Sequence, residues 1–194
     1  MILEVKRKIV HLLLGIFLIL LLYYDMVDKL VIVITTLIAF LILYLSTKIR
    51  IGFIEWLLDN LDRPHTRRIF PGRGPLFYLI GCSLALIIFS KEVAMASIVI
   101  LAIGDSIPNI VGIKYAKIRR PFSDKKYLEG ALVGFVLSFA AATIFVSWYE
   151  AFFSSLVAIF LEGIDMRIGL EKIDDNLIVP LSAGLVISLF RLIF

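Results

Sequence analysis

Asp105, Ser106 and Asn109 stand together in a hydrophobic run, with Pro108 among them and Gly104 and Gly112 on either side. A carboxylate at the centre of a bilayer costs about 2.5–3.5 kcal/mol on insertion scales, so an embedded aspartate is a functional candidate by default. Carboxylate, hydroxyl and amide are hard oxygen donors, suited to Mg²⁺ held jointly with substrate phosphates. Proline has no N–H to donate, and glycine holds a helix weakly. The pair therefore predicts a break or distortion near Asp105, with freed backbone groups facing protein or water. An interhelical hydrogen-bonding cluster or an ion path would use the same residue types.

Four further groups carry chemistry. Arg7, Lys8 and His11 come first; Arg7 and His11 are four apart and share a helix face, although a basic helix end that sets orientation also accounts for them. Next come Arg63, His65, Arg67, Arg68 and Arg73, the last inside Pro71-Gly72-Arg73-Gly74-Pro75. Arginine forks match phosphate oxygens, and Gly72 and Gly74 let backbone N–H groups approach an anion. Lys126, Glu129 and Gly130 follow, readable as a helix-end ion pair. Last are Glu162 and the Asp174-Asp175-Asn176 turn. One of those three caps the next helix; two adjacent carboxylates and an amide exceed that need and point to a metal or a phosphate-bound cation.

The elements that must position these groups are membrane helices. Of the 194 residues, 61% are hydrophobic and 19% charged, against about 45–50% apolar in a soluble domain. Apolar runs near 9–24, 30–45, 76–89, 93–113, 128–148, 151–161 and 177–194 predict an all-α polytopic bundle of about seven spans, with 1–194 as one domain. No small-residue cleavage site follows Leu22, so the first run reads as a retained span. Ile51, Ile54, Leu57, Leu58 and Leu61 recur at helical spacing opposite Glu55, Asp59 and Asp62. That pattern predicts one amphipathic helix lying in the interface, with Trp56 at headgroup depth. Basic residues concentrate before the first span, between spans two and three, and between spans four and five. This distribution puts the N-terminus and every unusual polar cluster on the cytoplasmic side. The Gly/Ala/Ser-rich stretch 138–143 permits helix association, a homo-oligomer included. The bilayer is an expected partner and nucleic acid is not.

Taken together, Arg7-Lys8-x-x-His11, Arg68 with Phe70-Pro71-Gly72-x-Gly74, Gly104-Asp105 with Gly112, Lys126-x-x-Glu129-Gly130, and Glu162 followed by Asp174-Asp175-Asn176-Leu177 and Pro180 resemble the CTP-dependent polyprenol kinase family. That family includes dolichol kinase, phytol kinase and the yeast-type diacylglycerol kinase. The resemblance implies an integral membrane enzyme that moves the terminal phosphate of CTP onto a lipid alcohol with a divalent cation such as Mg²⁺. On that reading Asp105, helped by Asn109, Glu162 or the Asp174–Asn176 turn, holds the metal. Arg7, Lys8, Arg67, Arg68, Gly72, Arg73, Gly74, Gly104, Gly112, Lys126 and Gly130 bind nucleotide and phosphate. Asp105, Lys126, Glu129 and His11 are the catalytic candidates, with His11, Asp105 and Glu129 each eligible as base. Asn109 and Tyr127 depart from the family's pattern, which commonly has a small residue at the first position and Ser or Thr at the second. CTP over ATP rests on the resemblance alone. Two other readings are a cytidylyltransferase that forms CDP-lipids and a small membrane transporter. The Lys-Asp pair ahead of His-Gly-Gly associated with the former is absent, and polarity spread through the membrane depth, expected of the latter, is not found.

Overall fold

The computed structural model describes residues 2–64, 67, 70–115, 117–119, 126–164, 166–168 and 171–193, with backbone only at 113, 114, 167, 168, 171 and 172. The described chain is all-helical apart from one small hairpin. Its helices are α1 (Ile2–Tyr23), α2 (Lys29–Ser46), α3 (Gly52–Leu61), α4 (Arg73–Ile88), α5 (Lys91–Tyr115), α6 (Leu128–Ala142), α7 (Trp148–Glu162) and α8 (Asp175–Ile193). Each expected apolar run forms a helix. Three of them, α2, α8 and the Lys91–Gly112 part of α5, are long and apolar enough to cross a membrane by length and composition. Helices α4 and α6 are shorter apolar helices.

Helix α5 is the axis. It packs against α1, α4, α6, α7 and α8, and 78% of its apolar window is buried, against 11% for α2 at the periphery. Ala94, Ala96, Ile98, Ile100, Leu101 and Ala102 are completely buried; the small residues let neighbouring backbones approach closely where apolar area alone gives helices in lipid little reason to associate. The break expected near Asp105 and Pro108 is not formed: α5 runs through Pro108 as one helix. Helix α6 accommodates the proline with Gly130 and Gly134, where any Cβ would collide with the Pro108 carbonyl oxygen and ring respectively. Ser138 and Ala142, from the stretch expected to promote association, are buried inside the same molecule.

The run expected at 128–148 divides. Helix α6 stops at Ala142, and Ser147 opens α7 by donating its backbone N–H (2.9 Å) and hydroxyl (2.6 Å) to Glu150 Oε2. A serine with glutamate three residues on is a helix-start signal. Two-residue strands β1 (Arg167–Ile168) and β2 (Glu171–Lys172) pair antiparallel, Arg167 opposite Lys172 and Ile168 opposite Glu171. This hairpin, which the sequence pattern did not predict, carries the chain from α7 into α8.

Helix α8 is locked to α4 at Gly81, where a Cβ would overlap the Asn176 carbonyl oxygen and lie 3.3 Å from Pro180 Cγ. Gly81→Ala should therefore force the start of α8 outward and lower stability by about 1–3 kcal/mol, the usual cost of overpacking. Unfolding midpoints measured in detergent would test this.

Candidate active site

Alternating helix direction brings the start of α1, the start of α4, the C-terminal half of α5, the end of α7 and the start of α8 to one end of the bundle. There a cleft of about 260 Å³ is lined by Arg7, Lys8, His11, Arg63, Arg73, Gly74, Asp105, Ile173, Asp174, Asp175 and Asn176. Residues from four separate sequence groups thus share one cavity.

Asp105 forms its floor. Its carboxylate is almost fully buried and accepts from Lys8 Nζ at 2.5 Å and His11 Nδ1 at 3.3 Å. His11 is buried as well, its ring 5.0 Å from that of Tyr78. With Nδ1 committed to Asp105, Nε2 is the histidine's other functional atom. It lies near Gly74, where a Cβ would come within 2.8 Å of Arg7 Nη2 and 3.9 Å of His11 Nε2. Gly74 thus makes room for the guanidinium and the imidazole.

Three arginines line the same cleft, Arg7, Arg63 and Arg73. Arg63 donates to both oxygens of Glu4, Nε at 2.7 Å and Nη2 at 2.8 Å, and Arg7 Nη1 reaches the same carboxylate at 3.2 Å. The hydrogen bond from Arg63 leads in holding the Glu4 carboxyl down at about 2, against an ordinary 4.5. The depressed value means that this contact stabilises the fold fully above pH 4.5 and less as the pH falls towards about 2. Glu4→Gln should lack that component, so variant and wild-type unfolding midpoints should differ at neutral pH and converge on acidification. Arg73 Nε stands 3.7 Å from Asp174 Oδ2, with its guanidinium over the Phe77 ring at 5.2 Å.

The loop that brings Arg63 and Arg73 together is tied by Asp62. This residue, expected on the polar outer face of the amphipathic helix, is buried and accepts the Gly72 N–H at 2.8 Å and the Arg63 N–H at 2.9 Å. Gly72 has φ +69°, a left-handed conformation suited to glycine. Arg68 and His65, both expected at the site, lie outside the described residues.

Lys126 stands beside the cleft rather than in it. Its ammonium lies 2.9 Å from both Glu162 Oε1 and Asp175 Oδ2 and also donates to the Glu162 backbone carbonyl. Burial alone would pull its pKa down; the two carboxylates outweigh it and raise the value. The lysine joins the approach to α6, the end of α7 and the start of α8. Asp174, by contrast, has its pKa raised chiefly by burial.

Other expected site residues are placed elsewhere. Arg67 pairs with Asp59 and lies 3.8 Å from Glu55 on α3. Glu129 accepts the backbone N–H groups of Lys117 and Ile118 at 2.9 and 3.0 Å, holding the loop before α6. Gly104, Gly112 and Gly130 do not line the cleft; they bring helices or loop close, against Ile159, Tyr127 and Pro108 respectively. Asn109 donates its amide to the Asp105 carbonyl one turn back, at 2.8 Å.

A metal is best tested against this donor set. Among the described residues no three His, Cys, Asp or Glu side chains gather to hold an ion. Asp105 spends its oxygens on Lys8 and His11, Asn109 lies outside the cleft lining, and Glu162 and Asp175 both pair with Lys126. Asp174 and Asn176 fit better. Both line the cleft, and Asn176 donates to Asp174 Oδ1 at 2.8 Å while its own Oδ1 is buried without a hydrogen-bond partner. A carboxylate and an amide oxygen are a sufficient protein share for Mg²⁺, which takes its remaining ligands from phosphates and water.

Glu4 and Tyr78 were not among the expected site residues, and Asp62 was expected only on an outer helix face. Glu4 had a signal, three residues before Arg7 on the same helix; Tyr78, inside an apolar run, had none.

Several curated proteins resemble this chain. A probable chloroplastic phytol kinase 2 from Glycine max is 29% identical over 128 residues, which cover 59% of this chain and 44% of that protein. A CTP-dependent diacylglycerol kinase 1 from Eremothecium gossypii is 26% identical over 213 residues, covering 94% and 65%. An uncharacterized protein of Methanocaldococcus jannaschii is 26% identical over 191 residues, covering 95% and 93%. The chain matches only 41–44% of the length of the first three plant relatives. No protein-family model matches it, and no solved structure does. Phytol kinases and a CTP-dependent diacylglycerol kinase are therefore among its relatives, which bears out the resemblance of its motifs to the CTP-dependent polyprenol kinase family.

Proposed function

We propose that the chain is an integral membrane kinase that transfers the terminal phosphate of CTP to the hydroxyl of a lipid alcohol, releasing CDP and the lipid monophosphate. The observation that carries this reading is the cleft that Arg7, Arg63 and Arg73 line together with the Lys8–Asp105–His11 cluster and the Asp174–Asn176 turn. Phosphoryl transfer asks a protein mainly for positioning and charge neutralisation, and three guanidinium groups around one small cavity supply both. The names of the relatives point to prenyl and glyceride alcohols as acceptors; phytol, geranylgeraniol, a dolichol-like polyprenol and diacylglycerol are the substrates to compare.

In this mechanism the lipid hydroxyl attacks the terminal phosphorus as the bridging P–O bond to CDP breaks. His11 Nε2 takes the hydroxyl proton while Asp105, bonded to Nδ1, orients the ring and stabilises the imidazolium. Lys8 pairs with Asp105 and balances its charge. The arginines hold the phosphate oxygens, with Lys126 maintaining the α7–α8 wall beside them. Asp174 and Asn176 would hold Mg²⁺, which when bound neutralises phosphate charge.

The same reading takes the chain as one domain of seven spans, with its N-terminus and cleft on the cytoplasmic side, where the nucleotide is found. Its test is direct. The purified protein in phospholipid vesicles, given terminally labelled CTP or ATP with Mg²⁺, should move label to one or more of the four alcohols, more from CTP than from ATP. A metal chelator should stop transfer and added Mg²⁺ should restore it. No transfer to any of the alcohols would overturn the proposal.

A further inference from the structure

A second cavity is lined by residues that follow closely on two members of the Lys126 cluster, Leu128 after Lys126 and Gly163 after Glu162. It is an apolar groove of about 520 Å³ between α6 and α7, walled by Leu128, Leu132 and Phe135 on one side and Leu156, Phe160 and Ile164 on the other. Its volume is within the roughly 300–1,000 Å³ of small-molecule sites, but it lacks their convergent polar groups. Its one charged lining residue, Glu129, accepts from the loop N–H groups of Lys117 and Ile118.

We infer that this groove holds the hydrocarbon chain of the acceptor alcohol, next to its hydroxyl. The inference rests on the kinase reading and adds the acceptor's location. Proximity to the cleft is the main argument. The groove begins at Leu128, two residues after Lys126, and its other wall ends just beyond Glu162. Lys126 pairs with Glu162 and with Asp175, and Asp175 lines the cleft. The three-residue cluster therefore separates the two cavities at one end of the bundle. A chain in the groove has its tail running along the helices and its head leading past the cluster into the cleft, where the hydroxyl meets His11.

The surroundings favour a lipid chain over a protein segment. Leu132 and Phe160 are exposed on helices made of apolar residues, and within a bilayer apolar contact gives another helix no hydrophobic reason to dock. From Leu128 to Phe135 the groove runs about 11 Å at 1.5 Å per residue, roughly a third of a hydrocarbon core about 30 Å thick. It grips only the part of the chain nearest the hydroxyl. Selectivity should therefore follow branching and unsaturation near the head rather than total length.

Two measurements on the full chain in phosphatidylcholine vesicles test this. The first uses geranylgeraniol carrying a photoreactive diazirine near its hydroxyl, with labelled peptides mapped by mass spectrometry. Label should concentrate in 128–135 and 156–164 and fall with excess unlabelled geranylgeraniol. Uncompeted label spread over the outward faces of α1 and α2 would overturn the inference. The second is kinetic: Leu132→Trp should raise the KM for geranylgeraniol about tenfold with the nucleotide KM unchanged, and farnesol and geranylgeraniol should have similar KM values in the wild type. Leu137→Trp, exposed on the same helix outside the groove, should have no such effect; equal effects of the two variants would also overturn it. Photolabelling reads occupancy without catalysis. Groove labelling with no transfer would sink the kinase reading alone, and transfer without groove labelling would sink this one alone.

Discussion

Asp105→Asn should reduce phosphoryl transfer by roughly 10²–10⁴-fold, the range associated with loss of a positioned acid–base system. The side chain is nearly isosteric, but it brings no negative charge to Lys8 and His11, whose nitrogens lie 2.5 and 3.3 Å from the carboxylate. Two effects follow and can be separated. His11 loses the partner that orients it, which affects rate. Lys8, with a side chain only 12% exposed, becomes an unpaired cation, and breaking such a pair from one side costs about 3–5 kcal/mol when burial is complete. Lys8→Met combined with Asp105→Asn removes both charges, so the double variant should regain stability over the single one without regaining transfer. Melting curves in detergent and initial rates in vesicles distinguish the two. Wild-type rates from Asp105→Asn would remove the aspartate from the reaction.

Lys126→Ala should be the most destabilising single change at this end of the bundle. Glu162 is 1% exposed and shares the ammonium with Asp175; removing the lysine takes from both carboxylates the ammonium they share. About 3–5 kcal/mol should be lost, read as a fall in the unfolding midpoint. Adding Glu162→Gln should recover part of it, because one of the two carboxylates that lost the ammonium is then neutral. The activity that survives should show a larger rise in nucleotide KM than in lipid KM, since Asp175 borders the cleft. An unchanged nucleotide KM would leave Lys126 a structural clamp only.

Lys126 also illustrates how far the residues could be read before the fold. Its type, and its place ahead of an apolar helix, marked it as a candidate, as insertion cost marked Asp105. What no spacing along the chain carries is which acid meets which base. Lys8 and Asp105 are 97 residues apart and Lys126 and Asp175 are 49 apart, so the pairing comes from helix packing. For the same reason Asp174 and Asn176 suit a metal better than Asp105, whose basic neighbours arrive from α1. The glycines misled for a related cause. Gly104, Gly112 and Gly130 look like places for an anion to approach, but a membrane bundle has an equal need for small residues where backbones touch. Among the described residues each of the seven apolar runs became a helix, but the break placed between 148 and 151 comes after Ala142 instead, where Ser147 and Glu150 made a start signal inside an otherwise apolar stretch. Pro108 overstated its case as a breaker because Gly130 and Gly134, on another helix, make room for it.

The cleft takes its walls from the first turns of α1 and from the turn that opens α8, and this has a consequence for biogenesis. While the ribosome is still delivering the segment after the hairpin, Asp105 can already meet Lys8, but Lys126 and Glu162 await Asp175, and the cleft lacks the wall that Asp174, Asp175 and Asn176 supply. A nascent chain stalled before residue 173 should therefore be inserted, catalytically silent and open to quality-control proteases, until synthesis of α8 closes the assembly.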